Sequence, residues 1–173
     1  AIQERIRGFE KREGCRVNTV FEGCGTLIGM MKAGSQPAGY FSCDVKFLDM
    51  VDDRFFPGTV MTGNEIILLV AKGNPKSLST LADLSGAGVK LGVCDEQKSA
   101  LGQLTHEMLT RRKVEFENIA VKVAKGDDLV SAMQARSLDA ALVYRSNALA
   151  SPVTVKECEI GDLNDALAFA EQP

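Results

Sequence analysis

Residues 16–31 read RVNTVFEGCGTLIGMM, an apolar segment that passes through Gly23, Cys24 and Gly25 into a second apolar segment. The spacing of the apolar residues predicts a short strand followed by a helix, with the glycines at the turn between them. The first N–H groups of a helix have no partner within it, and the aligned peptide dipoles place partial positive charge there. Such a turn is suited to an anion, although glycines that only make a tight turn would give the same pattern.

The same alternation of strand and helix continues along the chain. The predicted helices run to about residue 12 and over 26–33, 45–51, 79–84, 101–112 and 128–135, and the predicted strands are 16–21, 40–43, 65–71, 89–94, 119–123 and 140–143. This rhythm is typical of βαβ units and implies parallel sheets. The run Glu65 to Ala71 is apolar on both faces, so it predicts a strand buried on both sides. A break at about Lys72 marks a crossover between two lobes.

Composition narrows the class of protein. The chain has 173 residues, 45% of them apolar and 25% charged, which suffices for one packed domain or two small lobes. A net charge of −3 without any basic block excludes a nucleic-acid-binding surface. The longest apolar run is strand-sized, so no membrane span is expected. The chain opens inside a predicted helix without a signal peptide, and we expect the natural polypeptide to extend further in that direction.

Catalytic motifs are absent from the sequence. There is no serine elbow, HExxH helix or P-loop. Cys94 and His106 are the only nucleophile and base that one lobe could bring together, and a lone histidine on a helix is more often structural. The sequence therefore predicts a protein that is not an enzyme.

Five cysteines occur at irregular spacing without a CxxC motif, which excludes a zinc ribbon or a thioredoxin motif. Three of them, Cys24, Cys43 and Cys94, lie near the ends of predicted strands and could line one cleft. Soft thiolates there would suit a thiophilic metal or a redox role, whereas buried inert cysteine is the ordinary alternative. The pairing of the cysteines stays open.

Several short segments follow one another in an order that is specific only when they are taken together. They are Phe21–Leu27, Lys32–Gly34, Pro37–Ala38, Ser42–Asp44, Asn64, Lys72–Pro75, Leu81–Leu84, Leu91–Asp95, Ala100–Gly102 and Leu142–Ala148. Their order and spacing resemble the molybdate-binding proteins, which are the extracytoplasmic solute-binding components of ABC transporters. The resemblance covers nearly the whole chain.

This resemblance implies the two-lobed type 2 periplasmic binding protein fold. Each lobe of this α/β fold is a mostly parallel sheet flanked by helices. Lobe I would comprise 1–70 and 145–173, lobe II would comprise 71–144, and the ligand cleft would lie between them. The family's first strand would precede Ala1, and its last strand and helix would follow Pro173, so the resemblance implies a fold incomplete at both termini.

The resemblance also implies a set of ligand-binding residues, carried over by position. They are Cys24, Gly25, Leu101, Leu129 and Tyr144. The two leucines can contribute only main-chain N–H groups, and both are predicted to lie at helix starts. Three helix N-termini would then converge on one anion. A site built from donors alone suits a fully deprotonated dianion, whereas phosphate still carries a proton near neutral pH and needs an acceptor.

Cys24 departs from the family pattern because the family commonly has a hydroxyl residue there. A cysteine at a helix N-terminus tends toward a lowered pKa, and a thiolate would repel the dianion. The alternative is that Cys24 is a small neutral filler and the backbone binds the anion. Gly39 is a second departure, at a place where the family usually has an acidic residue.

We therefore expect an exported, monomeric solute-binding protein that needs no cofactor and no metal. Its ligand would be a tetrahedral oxyanion, molybdate or tungstate with a sulfate-like anion as a further choice, and its partner the membrane permease of an ABC transporter. One alternative is a cysteine-based metal-binding, redox or sensor module on the same fold. Another is a ligand-sensing domain fused to other modules. The sequence leaves the identity of the anion open.

Overall fold

The structure is a computed structural model that describes residues 2–150, 158–161 and the backbone of 169–172. The helices are α1 (Ile2–Glu13), α2 (Cys24–Lys32), α3 (Val45–Asp49), α4 (Leu81–Leu84), α5 (Ala100–Arg112), α6 (Gly126–Gln134) and α7 (Arg145–Leu149), with a 3₁₀ turn at Asp52–Arg54. The strands are β1 (Thr62–Ala71), β2 (Leu91–Cys94), β3 (Ile119–Val123), β4 (Ala140–Tyr144), β5 (Cys158–Ile160) and β6 (Phe169–Gln172).

The strands form one mixed sheet in the order β3-β2-β4-β1-β5, and β6 pairs with the first half of β1. Strand β2 is parallel to both of its neighbours, β3 and β4. Strand β1 is antiparallel to β4, β5 and β6. The expected α/β class is confirmed, and the predicted parallel pairing holds for the three strands on the β3 side.

The core lies around β1 and β4, whose register pairs Ile66 with Tyr144 and Val70 with Ala140. Every residue of β4 is buried, and so is β1 from Ile66 to Val70. Burial on both faces is what a sheet covered by helices requires, and it explains why these strands are almost purely apolar. Each fully buried leucine or valine contributes about 1.5–3 kcal/mol relative to an exposed one.

Two strands predicted within the first sixty residues are not present in the structure. The predicted strands 16–21 and 40–43 are wrong, because both segments are irregular in the structure. A strand requires a neighbouring strand to complete its hydrogen bonds, and neither segment has one within the described ranges. Val20 and Phe21 are exposed, so the apolar pattern of the first segment does not reflect burial.

Helices α2 and α3 carry a small second core in this part of the chain. Its buried residues are Cys24, Ile28, Met31, Phe47 and Val51, together with Ala100 from α5. Through Ala100 this small core meets the start of a helix that belongs to the main sheet. The division into lobe I (1–70 and 145–173) and lobe II (71–144) stays a prediction.

The helices otherwise fall close to their predicted places. Helix α6 begins at Gly126, two residues before the predicted start, and α7 follows β4 directly without having been predicted. None of the helices in the described part of the chain is long and apolar enough to cross a membrane.

Candidate functional site

The carboxyl ends of β2, β3 and β4 meet at one edge of the sheet because these strands are parallel. Helix α7 begins directly after β4, α6 three residues after β3, and α5 six residues after β2. The N-cap residues of these three helices, Ser99, Lys125 and Tyr144, make no capping hydrogen bond with their side chains. Their first N–H groups therefore lie at the edge where open α/β sheets bind their ligands.

The Gly23-Cys24-Gly25 turn is seated between two of these helix starts. The Gly25 N–H donates to the Lys98 carbonyl over 3.1 Å. A Cβ atom on Gly23 would lie 2.2 Å from the Lys98 oxygen and 2.7 Å from the Ala124 oxygen. Lys98 precedes the N-cap of α5, and Ala124 precedes the N-cap of α6. The structure therefore brings the starts of α2, α5 and α6 together.

The glycines of this turn permit a close approach, but the approaching groups are carbonyls of the chain itself. A Cβ atom on Gly25 would lie 2.0 Å from the Gln97 oxygen. Neither Gly23 nor Gly25 has a positive φ, so other residues could adopt the backbone conformation of this turn. Glycine is needed there because a side chain would collide with the neighbouring carbonyls.

Cys24 begins α2 and is buried against the segment that precedes α3. Its sulfur accepts the Cys43 N–H over 3.2 Å, and the Ser42 hydroxyl lies 3.9 Å away. A hydrogen bond from the Cys43 thiol, helped by the Cys43 N–H, Ser42 and Tyr40, lowers the pKa of the Cys24 thiol to about 6 against the opposing effect of burial. The same contact, together with burial, raises the pKa of Cys43. These hydrogen bonds therefore favour the thiolate form of Cys24 near neutral pH.

Tyr144 ends β4, and its hydroxyl is buried without a hydrogen-bond partner in the described part of the chain. Burial raises the pKa of this phenol, and the nearby thiols of Cys43 and Cys24 raise it further. Tyr144 is therefore a neutral hydroxyl that faces the cysteines with an unused donor. An unpaired buried hydroxyl is costly, which marks this position as one that a ligand could satisfy.

Leu101 and Leu129 lie in the main core, where both side chains are buried. Leu101 is the second residue of α5, as predicted for a residue that offers its N–H. Leu129 is the fourth residue of α6, because that helix begins at Gly126 and not after Asp128. Leu129 therefore lies nearly one turn further into helix α6 than the sequence predicted.

Sequence reasoning gave no role to Gly126, although the structure places it at the tightest point between α6 and α7. A Cβ atom there would lie 2.7 Å from Asn147 Oδ1 and 3.2 Å from Leu101 Cδ2. Asn147 donates its amide to the Asp127 carboxylate over 2.7 Å, while its own Oδ1 is buried without a partner among the described residues. The residue pair Gly126 and Asp127 follows a predicted strand, which was the only signal available.

The charges nearest the cysteines are carboxylates. Asp44 and Asp127 raise the pKa of Cys43. After burial, which is the main cause, the neighbouring Asp128 contributes to a pKa of about 12 for Cys94. Lys125, at the start of α6, is paired with Glu22 over 3.5 Å. An anion bound here would have to be held by N–H and O–H donors against a negative surrounding field.

The cysteines do not assemble a metal centre in the described ranges. No three His, Cys, Asp or Glu side chains there come close enough to hold one ion. A cavity of about 450 Å³ lies elsewhere, beside α3, and is lined by Val45, Leu48, Asp49, Asp52, Phe55, Phe56, Pro57, Gly58 and Val60. It includes none of Cys24, Gly25, Leu101, Leu129 and Tyr144.

A family model described as bacterial extracellular solute-binding protein matches residues 1–171. The molybdate-binding protein ModA of Mycobacterium tuberculosis is 27% identical over 139 residues, which are 79% of this chain and 52% of that protein. The chain spans between 52% and 60% of the length of the curated relatives it matches.

Solved structures share the fold at lower identity. The periplasmic molybdate-binding protein of Azotobacter vinelandii is 16% identical with a TM-score of 0.72, and the match covers 99% of this chain and 78% of that one. PEB3 bound to L-phospholactate is 18% identical with a TM-score of 0.72, covering 99% of this chain and 79% of that one. At this identity the two structures establish the fold alone.

Proposed function

This chain belongs to the family of bacterial extracellular solute-binding proteins, and on that basis we propose that it captures a small oxyanion outside the cytoplasm. The proposed ligand is molybdate or tungstate, and the proposed partner is the membrane permease of an ABC transporter. The protein acts as a monomer that binds and releases its ligand without chemical change, and it needs neither a cofactor nor a metal. The proposed site is Cys24, Gly25, Leu101, Leu129 and Tyr144.

One observation carries the choice of an oxyanion. The start of α2 lies between the starts of α5 and α6, and the Tyr144 hydroxyl, which has no partner among the described residues, lies near Cys24 at the start of α2. Helix N-termini and a neutral phenol are all donors, and hydrogen bonds from such donors to an ionised oxygen are roughly twice as strong as neutral ones. This arrangement can hold a dianion without a lysine or arginine.

Two classes of anion occur among the relatives and structural neighbours. One relative is named for molybdate, and one solved neighbour contains L-phospholactate. A phosphate monoester carries a proton for part of the time near neutral pH and has a bulky substituent. A compact tetrahedral dianion needs neither an acceptor for a proton nor space for a substituent, so molybdate or tungstate is the ligand we propose.

Ligand entry requires the Gly23–Gly25 turn to separate from the Lys98 carbonyl, because that carbonyl now accepts the Gly25 N–H. Binding of the anion between the helix starts would then replace one acceptor with another. The separation corresponds to the opening, and the binding of the anion to the closing, that is expected of a two-lobed binding protein.

The test is thermal unfolding and titration calorimetry of the reduced protein with molybdate, tungstate, sulfate, phosphate and phospholactate. A ligand at 100 times its dissociation constant stabilises the folded state by about 2.7 kcal/mol. We expect stabilisation by molybdate and tungstate, less by sulfate and none by phosphate. A response to phospholactate alone would contradict the choice of ligand, and no response to any anion would contradict the oxyanion function.

A further inference from the structure

Cys24 and Cys43 are in direct contact although 18 residues separate them. The Cys43 N–H donates to the Cys24 sulfur over 3.2 Å, and the Cys43 thiol also hydrogen-bonds to that sulfur. The Cα atom of Cys43 is bonded to this nitrogen, so it lies within about 5 Å of the Cys24 sulfur. The two sulfurs are therefore neighbours, as the formation of a disulfide requires.

The other three cysteines have different surroundings. Cys15 is exposed, whereas Cys94 and Cys158 are buried in strands β2 and β5. Cys43 is half-buried, which leaves the pair open to a small oxidant. The lowered pKa of Cys24 supplies a thiolate, the reactive form of cysteine, beside a second thiol that can resolve it.

We infer that Cys24 and Cys43 form a reversible disulfide within the ligand site, and that the disulfide form is the one that binds the anion tightly. The second part of this inference rests on the proposed function.

The oxidant is a small peroxide. The Cys24 sulfur attacks one oxygen of hydrogen peroxide, the O–O bond breaks, and Cys24 becomes a sulfenic acid as the first water leaves. The Cys43 sulfur then attacks the Cys24 sulfur, the S–O bond breaks, the S–S bond forms, and the second water leaves. Two thiols have lost two electrons and two protons, and the peroxide has gained both.

The disulfide changes the site in two ways that favour an anion. It removes the negative charge of the Cys24 thiolate from the start of α2, where that charge competes with an anion for the same donors. The disulfide also removes the thiolate that now accepts the hydrogen bond from the Cys43 N–H. This N–H therefore becomes available to the ligand. Both changes act in the same direction, toward tighter binding.

The pairing is tested by mass spectrometry on the full chain. The reduced protein is treated with hydrogen peroxide, its remaining thiols are alkylated under denaturing conditions, and it is digested with trypsin. Cleavage after Arg16, Lys32 and Lys46 places Cys24 in peptide 17–32 and Cys43 in peptide 33–46. We expect these two peptides to be joined, with Cys15, Cys94 and Cys158 alkylated. Cys24→Ser and Cys43→Ser each abolish the joined peptide, whereas Cys15→Ser leaves it. Alkylation of all five cysteines after peroxide would overturn the inference.

The effect on the ligand is tested by molybdate titration of the oxidised and reduced forms. We expect the oxidised form to bind about tenfold more tightly, as follows from removing one like charge at a partly buried site. Cys15→Ser keeps this difference, and the double variant Cys24→Ser, Cys43→Ser loses it. Equal affinities in a cross-linked and a reduced sample would overturn the second part of the inference. A joined peptide with no anion binding in either form would overturn the proposed function and leave the pairing supported.

Discussion

The Gly25 N–H at the start of α2 donates to the carbonyl of Lys98, in the loop that leads into α5, over 3.1 Å. This bond joins helix α2 to the loop between β2 and α5, at the edge of the sheet where the candidate site lies. It also occupies one of the donors that the site would offer to a ligand. Stability of the empty protein and affinity for the ligand therefore depend on the same contact.

Gly25→Ala is expected to weaken this junction. The new Cβ atom would lie 2.0 Å from the Gln97 oxygen, so the turn or the loop has to move, at a cost of roughly 1–3 kcal/mol. Gly29→Ala is the matched control, because it lies in the same helix with nothing within 4 Å of the new atom. It should be neutral or stabilising by about 0.5–1 kcal/mol. Urea unfolding measures both, and equal stabilities of the two variants would contradict the packing described here.

Tyr144→Phe is expected to separate stability from binding. Removing a buried hydroxyl that has no partner among the described residues relieves a desolvation cost, so the empty protein should be as stable as the parent or more stable. Anion binding should weaken by about tenfold to a hundredfold, because a hydrogen bond to a charged group contributes roughly 1.5–3 kcal/mol. Unfolding in the absence of ligand and molybdate titration give the two values. Loss of stability without ligand would indicate that the hydroxyl has a structural partner.

The pH dependence of stability should carry a signature of Cys24. Its pKa is lowered to about 6 in the folded protein, against about 8.5 in an unfolded chain. Between these values the unfolded state binds the extra proton, so stability rises with pH from about 6 to 8.5 and is lost as pH falls through 6. Above this window the raised pKa values of Cys43 and Cys94 act in the opposite direction.

Urea midpoints of the reduced protein between pH 5.5 and 8.5 measure this slope. Cys24→Ala should reduce it, and Cys15→Ser should leave it unchanged because Cys15 is exposed. An identical slope in the Cys24→Ala variant and the parent would mean that the thiol of Cys24 is not ionised at neutral pH.

Asn64 and Ser146 link strand β1 to helix α7. The Asn64 amide donates to the Ser146 hydroxyl over 2.6 Å, and its Oδ1 accepts the Ser146 N–H over 3.4 Å. Asn64→Ala should cost about 0.5–1.5 kcal/mol because it removes the hydrogen bonds to Ser146, which is itself exposed. Ser146→Ala should cost about 1–3 kcal/mol because it leaves the buried Asn64 amide without its acceptor. A double-mutant cycle is expected to give a coupling of about 0.5 kcal/mol or more, and strict additivity would count against the link.

Apolar pattern predicted the central elements well. Strands β1 and β4 and helix α5 were predicted within a few residues, because a continuous apolar run or a helical stripe reports burial directly. The same reasoning failed for 16–21 and 40–43. Extended apolar segments become strands only beside other strands, and the sequence does not say which neighbours are present.

The candidate site was predictable in outline only. The Gly23-Cys24-Gly25 turn and the start of α5 follow from local spacing, whereas the convergence of helix starts was implied by the resemblance to the molybdate-binding proteins. The contact of Cys24 with Cys43 and the bond from Gly25 to Lys98 are tertiary events. They depend on how the small core of α2 and α3 rests on α5, and no local pattern contains that information.

Strand β4 pairs Tyr144 with Ile66 at the centre of the sheet. That residue cannot move without breaking the most deeply buried ladder in the protein. The Gly23–Gly25 turn, in contrast, belongs to a part of the chain held by a small core and a few surface bonds. The proposed site would therefore have one wall fixed in the sheet and a second wall, the Gly23–Gly25 turn, that is held by fewer contacts. We expect the first sixty residues to set the rate of ligand exchange at that site and the sheet to keep its recognition geometry.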